Sequence, residues 1–160
     1  MTSSLRLERS TRAGGRGGTR RSFLDFVVDG DSLADRLIAF EGGANLMSGY
    51  VPVLVLDWPT GSPAEDFRRL AGESPTPLPS GRVPMYICAE CGDLGCGAIT
   101  AMIEHRADTV VWRDLGYEND SEPFDPDGII TEVGPIVFDR SDYLQVLTTS
   151  RDRWSSGRRP

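Results

Sequence analysis

The sequence predicts a single α+β domain with a mostly antiparallel sheet, two or three helices packed on it, and a cysteine-bearing loop between strands. Two observations support this prediction. With 160 residues, of which 39% are hydrophobic, the chain is long enough for one domain with a core and too short for two comfortable ones. Short β-rich runs alternate with short helical segments in the first half, and β-rich runs separated by a polar turn dominate the second half.

Four elements are predicted in the first half of the chain: a strand over residues 23–29, a helix over 32–40, a strand over 51–58 and a helix over 63–71. The first strand alternates apolar and polar side chains, which is typical of a sheet with one solvated face. Asp31 is a candidate N-cap of the first helix, and Ser62 followed by Pro63 marks the start of the second. The second strand is apolar on both faces and is therefore predicted to be buried in the centre of the sheet.

The second half is predicted to be mainly β, with strands over residues 83–88, 99–104, 109–114 and 136–138, and a closing helix that follows Asp139. A polar turn at residues 105–108 separates two of these runs, which is the pattern of a hairpin. In the closing helix, Tyr143, Val146 and Leu147 recur at helical spacing and are expected to face inward.

Positive charge is concentrated at the two ends of the chain. Residues 1–21 contain six arginines and one glutamate, and residues 151–160 contain four arginines and one aspartate. Residues 22–150 contain seven arginines against 22 acidic residues. Both ends are rich in Gly, Ser and Arg and lack a hydrophobic pattern. Residues 1–21 and 151–160 are therefore predicted to be disordered basic tails on an acidic α+β domain over residues 22–150.

The charge distribution also limits the classes of partner. Arginine–glycine segments bind nucleic-acid backbones, but no aromatic residue is interleaved with the N-terminal arginines for base stacking. The acidic body argues against direct binding to nucleic acid and favours a basic protein partner. No apolar run is long enough to span a membrane, and no apolar segment follows the N-terminal arginines as it does in a secretory signal. Three clustered cysteines do not form a secreted disulfide framework, so a cytoplasmic location is predicted.

Three cysteines, Cys88, Cys91 and Cys96, fall within nine residues and give the main local indication of chemistry. The spacing Cys88-x-x-Cys91-Gly92 is similar to the knuckle that presents two thiolates to zinc, and Cys96 could supply a third. The sole histidine, His105, lies beyond the next predicted strand, about 25–30 Å away along an extended chain. The sequence therefore predicts these three cysteines as metal ligands and zinc as the cofactor, with the fourth ligand left open.

Two other interpretations of this loop remain open. A thioredoxin-like Cys-x-x-Cys depends on a helix N-terminus that lowers the pKa of the first thiol. The glycine-rich residues after Cys91 are a poor helix start, and the carboxylates of Glu90 and Asp93 would raise the pKa of a nearby thiol, so both features argue against redox chemistry. In the other interpretation the cysteines are small buried side chains and the glycines shape a turn between strands. Asp93 is also the nearest oxygen ligand, although it is a weak one for a thiolate-rich site.

The motifs around the loop are similar to those of a family of small actinobacterial proteins. The shared features are an aromatic-x-Cys strand, a Cys-x-x-Cys-Gly-Asp-x-Gly-Cys-Gly loop, a Val-Trp-Arg-Asp hairpin and a C-terminal Gly-Pro-x-x-Phe-Asp element. In this chain they occupy residues 86–88, 88–97, 111–114 and 134–147. Some members of that family are labelled oxidoreductases, so the resemblance implies a redox activity, without a mechanism that assigns roles to residues.

Two functional classes follow from these observations. The leading prediction is a non-enzymatic acidic binding module with a structural cysteine loop, for example one that neutralises a basic bacterial toxin. The alternative is a small thiol- or metal-dependent oxidoreductase centred on the cysteine loop. An oxidoreductase needs a base or a fourth ligand beside the thiols, whereas a binding module does not, and the sequence identifies no catalytic residue.

Overall fold

Two antiparallel sheets and four helices make up the part of the chain that the computed structural model describes, residues 1–15 and 17–157. The three-stranded sheet has the order β1 (Leu5–Arg12), β2 (Arg21–Val28) and β3 (Asp31–Ser32). The five-stranded sheet is a meander of β4 (Tyr50–Pro52), β5 (Val83–Cys88), β6 (Ala98–His105), β7 (Thr109–Glu118) and β8 (Ile136–Asp139). The predicted α+β class is confirmed.

The helices are α1 (Leu33–Ala39), α2 (Gly43–Leu46), α3 (Ala64–Leu70) and α4 (Arg140–Gly157). None of these four helices combines the length and the apolar character that crossing a membrane requires. Three of them occupy the segments in which helices are predicted. The four-residue α2 was not predicted; it follows directly after Gly42, whose positive φ of 85° turns the chain into a new helical turn.

The segment that follows β4 joins the two sheets. Val53 donates a backbone hydrogen bond to Met85 of β5 at 2.9 Å, and Leu56 donates one to Ser22 of β2 at 2.8 Å. The prediction of a buried central strand over residues 51–58 is therefore correct in burial, because its first five residues are buried. It is wrong in extent and position: β4 has three residues and lies at the edge of its sheet, since the chain passes from one sheet to the other.

Aromatic side chains form the centre of the core between the sheets and α4. Phe26 of β2 meets Trp112 of β7 and Tyr86 of β5 edge to face, with ring centroids 5.4 and 5.8 Å apart. The indole N–H of Trp112 donates to the hydroxyl of Tyr143 in α4 at 3.2 Å, and this hydroxyl donates to the carbonyl of Leu70 in α3 at 2.8 Å. The two hydrogen bonds therefore fix α3 and α4 relative to the sheet.

The N-terminal residues belong to the folded domain, so the prediction of a disordered tail over residues 1–21 is wrong. β1 pairs with β2 along its whole length, from Leu5 opposite Val28 to Arg12 opposite Arg21. Composition misses this strand because backbone hydrogen bonds and a few apolar side chains hold it.

The prediction of a disordered tail over residues 151–160 is also wrong for residues 151–157, because α4 continues to Gly157. The predicted domain boundaries at residues 22 and 150 therefore do not match the folded region. Arg16 and residues 158–160 lie outside the described residues.

Candidate metal centre

The loop that joins β5 to β6, residues 88–97, brings the three cysteine thiols together; we call it the cysteine loop. The Sγ atoms of Cys88, Cys91 and Cys96 all lie within 4.8 Å of one another. Cys91 and Cys96 are exposed, and a hydrogen bond joins their Sγ atoms at 3.2 Å. Cys88, at the end of β5, is partly buried, and all three are free thiols. The structure thus places the three predicted ligands in one cluster.

Glycine and aspartate residues fold this loop back on itself. Gly92 has a positive φ of 65°, a conformation that glycine adopts without strain, and so the chain turns directly after Cys91. The Asp93 carboxylate then accepts the N–H of Gly95 at 2.7 Å and caps a short 3-10 helix, Leu94–Cys96. This helix returns Cys96 to the side of Cys91.

Backbone N–H groups stabilise negative charge on the sulfur atoms. Burial acts to raise the pKa of Cys88, but the N–H groups of Cys91 and Glu90 donate to its sulfur, and the net result is a lowered pKa. The N–H of Asp93 donates to the Sγ of Cys91 at 3.4 Å. The hydrogen bond and the charge of Cys91 raise the pKa of Cys96 to about 11. The cluster therefore holds a proton at Cys96, which a divalent cation would displace.

The sulfur positions fit a thiolate-coordinated zinc ion. Tetrahedral zinc with Zn–S bonds of 2.3 Å holds its sulfur atoms about 3.8 Å apart. The Cys91–Cys96 distance of 3.2 Å lies just below that value, and no pair in the cluster exceeds 4.8 Å. Zinc binding therefore requires sulfur displacements of only about 1 Å. Three thiolates favour a soft or borderline metal such as zinc over magnesium or calcium.

Within the part of the chain that the structure describes, the candidate ligand group consists of the three cysteines alone. The ring of His105 lies 2.8 Å from the position that a Cβ on Gly72 would occupy, and it faces Tyr143 with centroids 6.3 Å apart. His105 thus packs beside α3 and α4 and not in the cluster. The Asp93 carboxylate is used within its own turn. A fourth coordination position is left for water or another external ligand.

Two tyrosines that the sequence analysis did not identify lie beside the cysteine loop. The Tyr50 hydroxyl, from β4, donates to the Cys96 carbonyl at 2.9 Å. A Cβ on Gly97 would lie 2.5 Å from the Tyr50 hydroxyl oxygen and 2.7 Å from that of Tyr117 in β7, so both hydroxyls stand over this glycine. Burial raises the pKa of Tyr50 to about 12. The hairpin register could have placed Tyr117 here, but no sequence signal indicates Tyr50.

The hairpin of β1 and β2 holds the cysteine loop from the other side. The Glu90 carboxylate accepts hydrogen bonds from the Thr19 hydroxyl at 2.6 Å, the Thr19 N–H at 2.9 Å and the Arg12 guanidinium at 2.8 Å. These hydrogen bonds, led by those from Thr19, lower the pKa of Glu90 to about 2. Arg21 donates to the carbonyl of Ala89 at 2.8 Å. Residues predicted as a disordered tail therefore help to position the cysteine loop.

A groove of about 600 Å³ lies beside the cysteine loop, and of the three cysteines it is Cys91 that lines it. Trp58 forms part of its wall, and the guanidinium of Arg21 lies over the indole ring, 4.6 Å from its centroid. Burial raises the pKa of Asp66, another lining residue, to about 6, and nearby Arg69 opposes this shift. The groove thus combines an exposed thiol, an aromatic wall and a carboxyl group that titrates near neutral pH.

No known family model, no characterised protein and no solved structure matches this chain. The resemblance of the cysteine loop and its flanking motifs to an actinobacterial family therefore stays a prediction.

Proposed function

We propose that the protein is a non-enzymatic acidic binding module whose cysteine loop binds one zinc ion through Cys88, Cys91 and Cys96. The observation that carries the proposal is the convergence of three thiols within 4.8 Å. Backbone N–H groups directed at Cys88 lower its pKa and so favour its thiolate, and thiolates are the forms that bind zinc. When bound, zinc supplies a positive charge at the thiolates and a cross-link between the two ends of the loop.

The surroundings of the loop support a structural role for the metal. The cysteine loop is held by the β1–β2 hairpin through Glu90 and by Tyr50 through the Cys96 carbonyl. Thiolate ligands persist where thiols are kept reduced, so a zinc site of this kind accords with the predicted cytoplasmic location.

An acidic surface beside the cysteine loop supports a basic protein partner. None of the ion pairs between described residues involves its exposed carboxylates, which are Asp93, Asp120 and Glu122. The Asp120 carboxylate lies 3.7 Å from the position of a Cβ on Gly95, so this surface adjoins the cysteine loop. Uncompensated charge of one sign steers a partner of the opposite sign toward a surface.

A second candidate function, a small thiol-dependent oxidoreductase, is favoured by the groove beside Cys91. A carboxyl group that titrates near neutral pH, such as Asp66, is suited to general acid–base catalysis. We prefer the binding module because Asp66 is already paired with Arg69, at 3.4 Å. In addition, no α-helix begins at the Cys-x-x-Cys segment, residues 88–91, whose N-terminus could activate the first thiol.

Elemental analysis of protein purified under reducing conditions tests the metal centre. We expect about one zinc ion per chain, which should be lost in Cys91→Ser because one of its three ligands is removed. His105→Gln is the matched control and should keep its zinc, since this histidine lies outside the cluster. Absence of zinc from the wild-type protein after reconstitution, or equal zinc in Cys91→Ser, would refute the metal centre.

Capture experiments in extracts of the native host test the partner. A basic protein should bind at low ionic strength and dissociate at about 1 M salt, where the Debye length is about 3 Å. Combined Asp120→Asn and Glu122→Gln substitutions should weaken its capture. Combined Asp35→Asn and Glu41→Gln substitutions remove the same charge from exposed positions elsewhere and should not. Turnover of a small substrate that is lost in Cys91→Ser would instead favour the oxidoreductase.

A further inference from the structure

We propose that the cysteine loop is a site of oxidative modification in which Cys91 and Cys96 form a disulfide. Cys91 is the thiol that the oxidant converts to a sulfenic acid, and Cys96 is the resolving thiol. Their Sγ atoms are 3.2 Å apart, and a disulfide bond of about 2.05 Å requires the two sulfur atoms to approach by only about 1.1 Å. Both side chains are exposed, whereas Cys88 is partly buried at the end of β5. The loop between the pair contains Gly92 and Gly95, which gives its backbone the freedom to close.

The groove distinguishes the roles of the two sulfur atoms. Cys91 lines this opening of about 600 Å³ together with Trp58 and Leu94, whereas Cys96 does not line it. An oxidant held in the groove therefore meets the sulfur of Cys91 and not that of Cys96. Cys96 lies on the short 3-10 helix outside the groove, already in hydrogen-bond contact with the sulfur of Cys91.

The reaction balances with hydrogen peroxide as the oxidant. The Cys91 thiolate attacks one peroxide oxygen, the O–O bond breaks, and the departing hydroxide takes a proton to become water. The resulting sulfenic acid is attacked by the sulfur of Cys96. The S–S bond forms, the S–O bond breaks, and the departing hydroxide leaves as water with the thiol proton of Cys96. Two electrons pass from the two thiols to one peroxide, and two water molecules are formed.

Disulfide formation also removes two of the three ligands from the metal centre. Cys88 alone offers one thiolate, which is too few to retain zinc against water. Oxidation should therefore release the metal, a consequence that rests on the proposed function, whereas the disulfide assignment does not.

Differential alkylation of the full-length protein tests the assignment. After treatment with one equivalent of hydrogen peroxide, free thiols are blocked with one reagent, and oxidised thiols are reduced and blocked with a second. Trypsin releases all three cysteines in one peptide, residues 83–106, and fragmentation of this peptide locates each label. We expect the first label on Cys88 and the second on Cys91 and Cys96. The second label on Cys88, or disulfides only between chains, would overturn the assignment.

Single substitutions test the order of attack. In Cys96→Ser the sulfenic acid should persist at Cys91 and react with dimedone. In Cys91→Ser the rate of peroxide consumption should fall at least about tenfold, because the thiol that the oxidant reaches is missing. Cys88→Ser is the matched control and should still form the disulfide. Equal rates in Cys91→Ser and the wild-type protein would overturn the role of Cys91.

A chromogenic zinc chelator, added during the same titration of zinc-reconstituted protein, separates the inference from the proposed function. Zinc release that keeps pace with disulfide formation supports both the inference and the proposed metal centre. If the disulfide forms while the protein retains its zinc, the predicted zinc release is wrong. If the reduced protein binds no zinc, the metal centre and its release are refuted together, and the labelling result alone decides the disulfide assignment.

Discussion

The guanidinium of Arg82 and the carboxylate of Glu118 face each other inside the protein, with Nε and Oε1 3.6 Å apart and only 4% and 3% of the two side chains exposed. The Thr100 hydroxyl lies between them: it accepts from Arg82 at 2.8 Å and donates to Glu118 at 3.1 Å. The guanidinium also lies over the ring of Phe124, 3.7 Å from its centroid. Because Phe124 belongs to the acidic segment after β7, this buried network fixes that segment on the sheet.

Removing the arginine should be strongly destabilising. Arg82→Met leaves Glu118 as an uncompensated buried charge, and we expect the free energy of unfolding to fall by about 3–5 kcal/mol. Arg106→Met is the matched control, because 60% of the Arg106 side chain is exposed in its pair with Glu104. Exposed pairs of this kind contribute less than about 1 kcal/mol. Urea unfolding followed by tryptophan fluorescence measures both, and similar losses in the two variants would contradict the prediction.

The low pKa of Glu90 makes the contact between the β1–β2 hairpin and the cysteine loop sensitive to acid. Hydrogen bonds from Thr19 are the largest cause of the shift from an ordinary 4.5 to about 2. A carboxyl group whose pKa is lowered on folding adds stability above its unfolded pKa and loses it as the pH falls through the folded value. The contribution should therefore be complete above about pH 5 and decline toward pH 2.

Carboxyl NMR titration tests this prediction directly. In the wild-type protein the Glu90 signal should titrate near pH 2, and in Thr19→Val its midpoint should move upward, toward 4.5. Thr11→Val changes an exposed threonine on the same hairpin and should leave the Glu90 midpoint unchanged. A midpoint near 2 in Thr19→Val would show that the threonine does not hold this carboxylate.

The elements that the sequence predicts correctly have a local signal in their own residues. β5 has the predicted bounds, residues 83–88, and the two runs flanking residues 105–108 pair as the antiparallel hairpin of β6 and β7. α4 begins directly after Asp139, whose carboxylate accepts the N–H of Asp142 at 2.9 Å. In each case local residues decide the structure: a β-rich apolar run selects the strand, and a capping side chain starts the helix.

The elements that the sequence misses depend on strand pairing and register that their own residues do not specify. β1 is stable because β2 supplies its hydrogen bonds, and composition contains no information on that pairing. The three cysteines could be identified as a candidate cluster because they are neighbours in sequence. The groups around them could not, since Thr19 and Tyr50 reach the cysteine loop from strands whose register no local pattern fixes.

The close approach of two tyrosines to Gly97 predicts that this position tolerates no side chain. Gly97 has a φ of 87°, and an added Cβ would lie 2.5 Å from the Tyr50 hydroxyl oxygen. Gly61 is the matched control: its φ is 91°, but a Cβ there would meet no atom within 4 Å. Gly61→Ala should cost about 1–2 kcal/mol from backbone strain alone. Gly97→Ala should cost more and should also weaken metal binding, because the clash displaces the chain next to Cys96.

Thermal unfolding and zinc content measure these two effects in the same preparations. Equal melting temperatures for Gly97→Ala and Gly61→Ala would show that the tyrosines move aside without cost. Unchanged zinc content in Gly97→Ala would show that the sulfur positions do not depend on Tyr50 and Tyr117.

The hydroxyl of Tyr143 should contribute more to the stability of the fold than a single oxygen atom usually does, because it hydrogen-bonds two buried groups. It accepts from the Trp112 indole N–H and donates to the Leu70 carbonyl. Tyr143→Phe removes one oxygen atom and leaves both groups unsatisfied in the core, so we expect a loss of about 1–3 kcal/mol for each unsatisfied group. Tyr117→Phe removes a hydroxyl from a residue that is 41% exposed and should change stability by less than about 0.5 kcal/mol.

Urea unfolding measures both losses, and the indole N–H resonance of Trp112 should shift only in Tyr143→Phe. A loss in Tyr143→Phe as small as that in Tyr117→Phe would mean that water replaces the hydroxyl between α3 and α4.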